Sequence, residues 1–536
     1  MELLHGLEVS AAELEALVEQ VREPLGEAGY QKLKAAIRTL GYVTELLESR
    51  ETTLQELRRM LCRDRTEKTE AVLKRAGIHT DTADPAGTSA EKTKAPGHGR
   101  NGNQAYRGAR KLTVAHPALR KGDRCPECAK GKVYGQTPAA LVRIIGQTPV
   151  QATVYEMEKL RCNLCGEVFT AEPPEGVGSE KYDATAVSMI ALLKYGSGLP
   201  FHRLERLQRN LGIPLPASTQ WELVEQTAQQ IVAAHEELIR HAAQGEVLYN
   251  DDTSMTILEL MKPEAADEDF LGRTGIFTSG IVSTQGGQRI ALFFTGRKHA
   301  GENLADVLTH RAQAIGPPIQ MCDALARNLP KELEVILSHC IVHGRRRFVE
   351  VAPNFPDPCR HVLETLGEVY RNEAITRDQQ MSPQDRLTFH QTRSGPLMKQ
   401  LREWFTQQLD GHKVEPNSGL GTAIAYMIKY WNALTLFLRQ AGAPLDNNIC
   451  ERALKKVILH RKNALFYKTQ NGAHVGDIFM SLIYTCQLSN ADPFDYLTQL
   501  QRNARELAQR PREWMPWNYL ETLDRAAAAA AAVDSG

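Results

Sequence analysis

The sequence predicts a multidomain α/β protein whose core holds a mixed sheet, is interrupted by a helical insertion, and is preceded by a coiled coil, a zinc-ribbon-like module and a further helical module. Three observations predict it. Leucine recurs every seven residues near the start of the 536-residue chain, and two C-x-x-C pairs follow. From Glu246 the apolar period shifts from helical to strand-like, in the order three strands, helix, strand, helix, strand.

The first module, residues 1–75, is helical in pattern. Leu33, Leu40, Leu47, Leu54 and Leu61 keep heptad spacing, and Ile37, Val43, Leu46 and Leu57 widen the stripe. Thr44, Glu51 and Arg58 fall at companion positions and weaken the seam, so pairing between chains and packing on the same chain both stand. Paired helices would make the protein a homodimer or a higher oligomer.

Residues 76–120 are expected to form a flexible basic linker. From Lys92 to Arg124 there are nine Lys or Arg against the single acid Asp123, in a stretch rich in Gly, Ala and Asn. Such a tether neutralises phosphates without folding first, or is simply soluble. Across the whole chain the 64 basic and 64 acidic residues cancel, so only local charge speaks for nucleic acid.

In residues 121–175, Cys125 and Cys128 form one C-x-x-C pair and Cys162 and Cys165 the other. Two tight knuckles can supply four thiolates to one tetrahedral zinc, with β-like segments at Leu141 to Gly146 and Thr153 to Leu160 between them. A closed site of that kind stabilises a small domain and does no chemistry. No apolar core lies behind a basic start and no run of 18 apolar residues occurs, which indicates neither export nor membrane insertion. The expectation is a cytoplasmic, nucleoid-associated protein with reduced cysteines.

Residues 176–244 read as three helices: a short one before the Gly-Leu-Pro turn, a second ended by Gly212, and a third capped by Ser218 or Thr219. With Arg203, Arg206 and Arg209 turned outward, the pattern suits a helix-turn-helix that binds DNA, and equally helical packing without DNA contact.

The core begins in residues 245–350. "EVLYNDDTSMTIL", "GIFTSGIVST" and "RIALFFTG" read as strands, the last two joined at Gln285-Gly286-Gly287. A helix over Gly301 to Ala314, the strand "PPIQMCDAL", another helix and the strand-like "HCIVHGRRRF" complete the first part. Residues 351–440 are a helical insertion, residues 441–490 return to the core with a helix that contains Glu451, and residues 491–536 end in helices and an Ala-rich tail read as disordered or frayed.

Asp251 exits the first strand, Asp323 follows "PIQMC", and Glu451 opens the helix "CERALKKVIL". Carboxylates brought together repel unless a cation lies between them, so convergence of these three implies a divalent-metal site. Two hard cations about 3.5–4 Å apart activate a nucleophilic oxygen and stabilise the leaving oxygen of a phosphodiester. Asp252 points to the opposite face if the strand continues, so at most one of the two adjacent acids enters the site. Taken singly, each acid also suits a turn or a helix cap.

These blocks resemble a known group. "NDDTSM", "CIVHGRRRF" and "LDNNICERALKKVILHRKNALF" are similar to the Asp-Glu-Thr, Cys-Trp-Ala-His-x-Arg-Arg and Asp-Asn-Asn-x-x-Glu-Arg blocks of the insertion sequence 66 family of bacterial transposases. "SEKYDATAVSMIALLKYGSGLPFHRLERL" and "LRRMLCRDRTEK" resemble the segments that precede that family's catalytic domain and follow its zipper, so the likeness runs in order from about residue 30 to 490. Departures are Asp252 for Glu, Ile341 and Val342 for Trp and Ala, and "CDALARNLP" around Asp323.

The resemblance implies a ribonuclease-H-like catalytic core and DDE chemistry, in which Mg²⁺ (or Mn²⁺) supports strand cleavage at element ends and attack by the freed 3′-OH on target double-stranded DNA. Asp251, Asp323 and Glu451 are then the three catalytic and metal-binding acids. Asp252, His343, Asn447 and Asn448 are supporting residues, and Arg345, Arg346, Arg452, Lys455, Lys456, Arg461 and Lys462 are candidates for DNA phosphates. A satisfied core His343 with two surface arginines stays open. The resemblance also suggests accessory proteins encoded by the same element. Two alternatives remain: a nuclease or resolvase that cleaves without joining, and an inactive transposase-derived regulator that binds DNA.

Overall fold

A computed structural model describes Tyr30 and residues 117–127, 130–133, 147–161, 168–178, 180–262, 273–331 and 333–534. The leucine heptads, Cys128, Cys162 and Cys165 lie outside the described residues. The chain divides into two compact units, residues 1–80 with 352–357 and residues 81–351 with 358–536. The second unit holds the sheet and the acids. No helix among the described residues is long and apolar enough to cross a membrane.

Near Cys125 the chain makes a tight reversal in which the Cys125 amide donates to Gly131 O at 2.8 Å. Strands β1 (Lys159–Arg161) and β2 (Val168–Thr170) pair antiparallel. The β-like character expected from Thr153 is thus confined to the last residues of that stretch, and residues 151–158 are irregular and exposed.

Three helices follow: α1 (Ala184–Ala191, continued by a π turn, Leu192–Gly196), α2 (Phe201–Asn210) and α3 (Ala217–Ala243). Gly198 and Gly212 take the positive φ that ends each helix, at 71° and 77°. The third helix starts at Ala217 behind Pro216 without a side-chain cap, earlier than a Ser218 or Thr219 cap requires. Its 27 residues span about 40 Å. Val224, Ala228, Ile231, Leu238 and Ala242 line one face at helical spacing and are fully buried, in one core with the sheet. Arg203, Arg206 and Arg209 stay exposed on α2.

The sheet has the order β5-β4-β3-β6-β7, from β3 (Val247–Ser254), β4 (Phe277–Gln285), β5 (Gln288–Gly296), β6 (Ile319–Cys322) and β7 (Ile336–His339). The first three pair antiparallel, and β6 and β7 join parallel to β3. Gly286 and Gly287, both at positive φ, make the two-residue β4–β5 turn whose twist suits flanking strands. Helix α4 (Ala300–Leu308) is shorter than the expected Gly301 to Ala314.

"HCIVHGRRRF" is not a strand. β7 ends at His339, the Cys340 amide donates to Cys322 O and the Ile341 amide to Leu445 O, and the chain turns into helix α5 (Ile341–Val351). Its buried residues Ile341, Gly344, Arg345 and Phe348 have the i, i+3, i+4, i+7 spacing of a helix face. The helix expected before it is a short 3₁₀ turn, Ala326–Asn328.

The insertion is helical: α6 (Pro356–Asp378), α7 (Pro383–Asp410), α8 (Gly419–Lys429) and α9 (Trp431–Leu434). Phe405 anchors it, stacked on Phe348 at 5.8 Å and edge-on to Trp431 at 6.3 Å. The chain then re-enters the core through α10 (Asn448–Ala464) and α11 (Gln470–Leu488). The C-terminal residues form α12 (Pro493–Arg502), α13 (Ala504–Gln509) and α14 (Tyr519–Asp534), the last of which is a helix through the Ala-rich tail.

Strand alternation decides which face each side chain meets. Gly280, opposite Asp251, leaves room for α10: a Cβ there would lie 3.0 Å from Leu454 Cδ2, and Cys450 Sγ donates to Gly280 O at 3.2 Å. Ser279, opposite Asp252, faces α4 and accepts from Asn303 at 2.8 Å. Helix α10 therefore covers the Asp251 face and α4 the Asp252 face.

Candidate active site

Asp251 lies on β3, Asp323 one residue beyond β6, and Glu451 in the first turn of α10. Because β3 and β6 run parallel, the two aspartates emerge at one end of the sheet. A buried amide network fixes the loop beyond Asp323. Gln320 Nε2 donates to Asn250 Oδ1 at 2.8 Å and to Asn328 O at 2.6 Å, and Asn250 Nδ2 donates to Asn328 O at 2.8 Å. Asn328 is thereby held where its Nδ2 reaches both Asp323 Oδ1 and, at 3.5 Å, Asp251 Oδ1.

The turn before α10 is laced to the other elements. The Asn447 amide donates to Cys340 Sγ at 3.3 Å, Asn447 Nδ2 to Asn250 O at 3.1 Å, and the Asn448 amide to Asp446 Oδ1 at 3.0 Å. Since Ile341 N also meets Leu445 O, the insertion leaves and rejoins the core at one point. Chain reversal there brings Glu451 within electrostatic reach of Asp251 despite its distance in sequence.

The electrostatics reflect the crowding. Burial, and then the charge of Asp323, push the Asp251 carboxyl up to about 7, with smaller contributions from Asp252 and Glu451 and an opposing one from the Asp252 amide, which donates to it at 2.8 Å. Among the described residues, Glu451 Oε1 is buried without a hydrogen-bond partner. Carboxylates whose charges push Asp251 up in this way have, together with it, the donor chemistry that a hard divalent cation takes.

Asp252 sits on the far face, as alternation requires. Its side chain is 1% exposed, 2.9 Å from His299 Nδ1 and 3.2 Å from Arg327, and it fastens the start of α4 and the 3₁₀ turn. Neither partner stands out in the sequence, because each lies in a loop without a motif. On α5, His343 and Arg346 line a cleft of about 630 Å³ with Asp323, Arg347, Glu350, Tyr426, Lys429 and Tyr430. Arg347 lies 4.1 Å over the Tyr426 ring. Arg345 is buried, close to the half-buried Tyr370.

On α10, Arg452, Lys455 and Lys462 are exposed on one side of the helix, and Lys456 is half-buried 5.9 Å from the Tyr484 ring. Arg461 is turned to the end of β3, where its guanidinium donates to Thr253 Oγ1 at 3.2 Å, to Ser254 Oγ at 2.7 Å and to Ser254 O.

Three elements thus carry acids to one sheet end. A family model described as Transposase IS66 family matches residues 180–475, which span all three acids and the insertion. The chain belongs to the IS66 family of transposases. Three relatives, all from Sinorhizobium fredii (strain NBRC 101917 / NGR234), are similar to it. Uncharacterized protein y4hP is 26% identical over 417 residues, 73% of this chain and 73% of the relative. Uncharacterized protein y4jD is 34% identical over 188 residues, 34% of this chain and 36% of the relative. Uncharacterized protein y4qI is 24% identical over 343 residues, 62% of each.

For a transposase the match has a structural consequence. It starts at residue 180, at the helices that share a core with the sheet, and takes in the start of α11. The matched segment thus takes in helices α1 to α3 and strands β3 to β5, which contribute to one hydrophobic core in this transposase.

Proposed function

We propose that this transposase is of the DDE type with a ribonuclease-H-like core, and that it binds the inverted-repeat ends of its element, cleaves DNA there and joins the freed 3′-OH to target DNA. The observation that carries the reading is the convergence of Asp251, Asp323 and Glu451, with Asp251 pushed up to about 7. The strand order, three antiparallel strands followed by two parallel ones, supports the fold assignment.

Asp251, Asp323 and Glu451 would hold Mg²⁺ or Mn²⁺, which supplies charge to a nucleophilic oxygen and to the leaving oxygen of a phosphodiester. Asn328 orients the two aspartates, Asn447 locks the turn that aims Glu451, and Arg461 pins α10 against β3. Arg346, Arg452, Lys455 and Lys462 are assigned to DNA phosphates. Cys125 with Cys128, Cys162 and Cys165 is assigned a structural zinc, and the leucine heptads a homodimer.

Labelled element ends incubated with target DNA and Mg²⁺ test the reading. The wild type is expected to give cleaved and joined products. Asp323→Ala and Glu451→Ala are each expected to lose at least about a hundredfold in rate, roughly 2.7 kcal/mol of barrier. Cleavage that persists in both variants would remove the assigned acids, and cleavage without joining would make the protein a nuclease.

A further inference from the structure

A second cluster shares Glu451. Cys340 is fully buried between β7 and α5, His343 follows three residues later in the first turn of α5, and Glu451 reaches both from α10. One donor atom of each, Cys Sγ, a His ring nitrogen and a carboxylate oxygen, lies within 4.8 Å of the other two. Ligands about 2.0–2.3 Å from a tetrahedral ion stand roughly 3.5 Å apart, so side-chain adjustments of about 1 Å would close the site.

Two further observations point into this cluster. His343 Nδ1 and Glu451 Oε1 are both buried without a hydrogen-bond partner among the described residues. Two orphaned atoms on two of three clustered side chains are costly unless something binds them. The sulfur, in contrast, is supplied with donors: the Asn447 amide at 3.3 Å, joined by the His343 amide from the same C-x-x-H turn. Amides aimed at sulfur favour a thiolate, as a metal ligand requires. Burial nonetheless pushes the Cys340 thiol up to about 12, so in the apo protein the proton stays on, and a nearby cation would have to displace it.

We propose that Cys340, His343 and Glu451 bind one divalent transition metal of the zinc class, with three protein ligands and a fourth position left to water from the cleft that His343 lines. Thiolate and imidazole select such an ion over Mg²⁺, which takes oxygen ligands. The site is therefore chemically distinct from the Asp251–Asp323 pair, yet it holds the carboxylate that the pair needs. It does not rest on the DNA-joining reading.

Zinc analysis and Co²⁺ substitution of the purified full chain test the assignment, with wild type, Cys340→Ser and His343→Ala compared. Each variant is expected to hold one zinc equivalent fewer than wild type, whatever the four-Cys set contributes to all three. The wild-type-minus-variant Co²⁺ difference spectrum is expected to show a thiolate-to-cobalt band for Cys340→Ser. Because Cys340 is buried and its replacement can unfold the region, His343→Ala, at a half-buried position on the cleft wall, is the deciding variant. Equal zinc content and superimposable Co²⁺ spectra in wild type and His343→Ala would overturn the site. Neither readout uses DNA, so this outcome and failure of the transposition assay are scored apart.

Discussion

At the scale of single residues, Asp251 carries the sharpest consequence. A carboxyl whose folded pKa is raised to about 7 holds its proton more tightly in the folded than in the unfolded state. That stabilises the fold below the ordinary carboxylate value of 3.8, and the benefit is lost as pH rises through about 7. Above neutrality the metal-free protein must keep a charged Asp251 beside Asp323. Asp251→Asn is therefore expected to stabilise the metal-free protein at about pH 8, by on the order of 2 kcal/mol after allowance for partial exposure, and by about two-fifths of that at about pH 5. Thermal melts of both proteins at the two pH values check this, and an equal difference at both would contradict it. The placement of Asp251, Asp323 and Glu451 on two strands' ends and in a first helical turn is legible in the sequence, because strand exits and helix starts are local signals. The grouping of Cys340 and His343 with Glu451 is not, because it arises only when the turn before α10 bonds to the turn before α5. The spacing Cys340-x-x-His343 is the one local sign of it, and the strand-like pattern of that block masks the helical turn that brings the two side chains together.

At the scale of elements, the clearest case is how α11 closes the edge of the sheet. Among the described residues, strand β5 has no strand partner on its outer side, and unpaired amides there need acceptors. Asp477, Ser481 and Thr485, four residues apart along α11, accept from the amides of Thr295, Phe293 and Ala291, two residues apart along β5, at 2.7, 3.0 and 3.1 Å. The spacings agree because four helical residues rise about 6 Å and two strand residues about 6.7 Å. Burial pushes Asp477 up to about 8, against the bonds from Thr295, so at neutral pH it is largely protonated and resembles Asn. Asp477→Ala is expected to cost roughly 2–3 kcal/mol by orphaning the Thr295 amide, and Asp477→Asn less than about 1 kcal/mol. Denaturant titrations at pH near 7 separate them, and equal losses would assign the effect to the carboxyl group itself instead of to an acceptor that Asn retains. The β3–β4–β5 meander and β6 are readable from period-two patterns and the paired glycines. The α5 segment is not, since the apolar and His residues at its start look the same in either period until the partner carbonyls of Cys322 and Leu445 end the strand.

At the scale of the whole molecule, charge has to be local, since 64 bases and 64 acids leave no net field to steer DNA. Helix α10 concentrates it: Arg452, Lys455 and Lys462 are exposed along one side, leading away from Glu451, while Arg461 is committed to the end of β3. Sequence alone groups all of these cations; only the fold separates those that face water from the one that braces a strand. The two roles predict opposite signatures. Each phosphate contact contributes roughly 0.9 to the slope of log affinity against log salt, so Arg452→Ala, Lys455→Ala and Lys462→Ala are each expected to lower that slope by about one and leave the melting temperature unchanged. Arg461→Ala is expected to do the reverse, lowering the melting temperature by removing three hydrogen bonds between α10 and β3 while leaving the salt slope of the folded protein near wild type. Binding of a duplex element end measured by anisotropy across a salt series, beside calorimetry of the same variants, distinguishes the classes. A salt slope that falls with Arg461→Ala but not with Lys455→Ala would place the DNA path at the end of β3 instead of along the open side of α10.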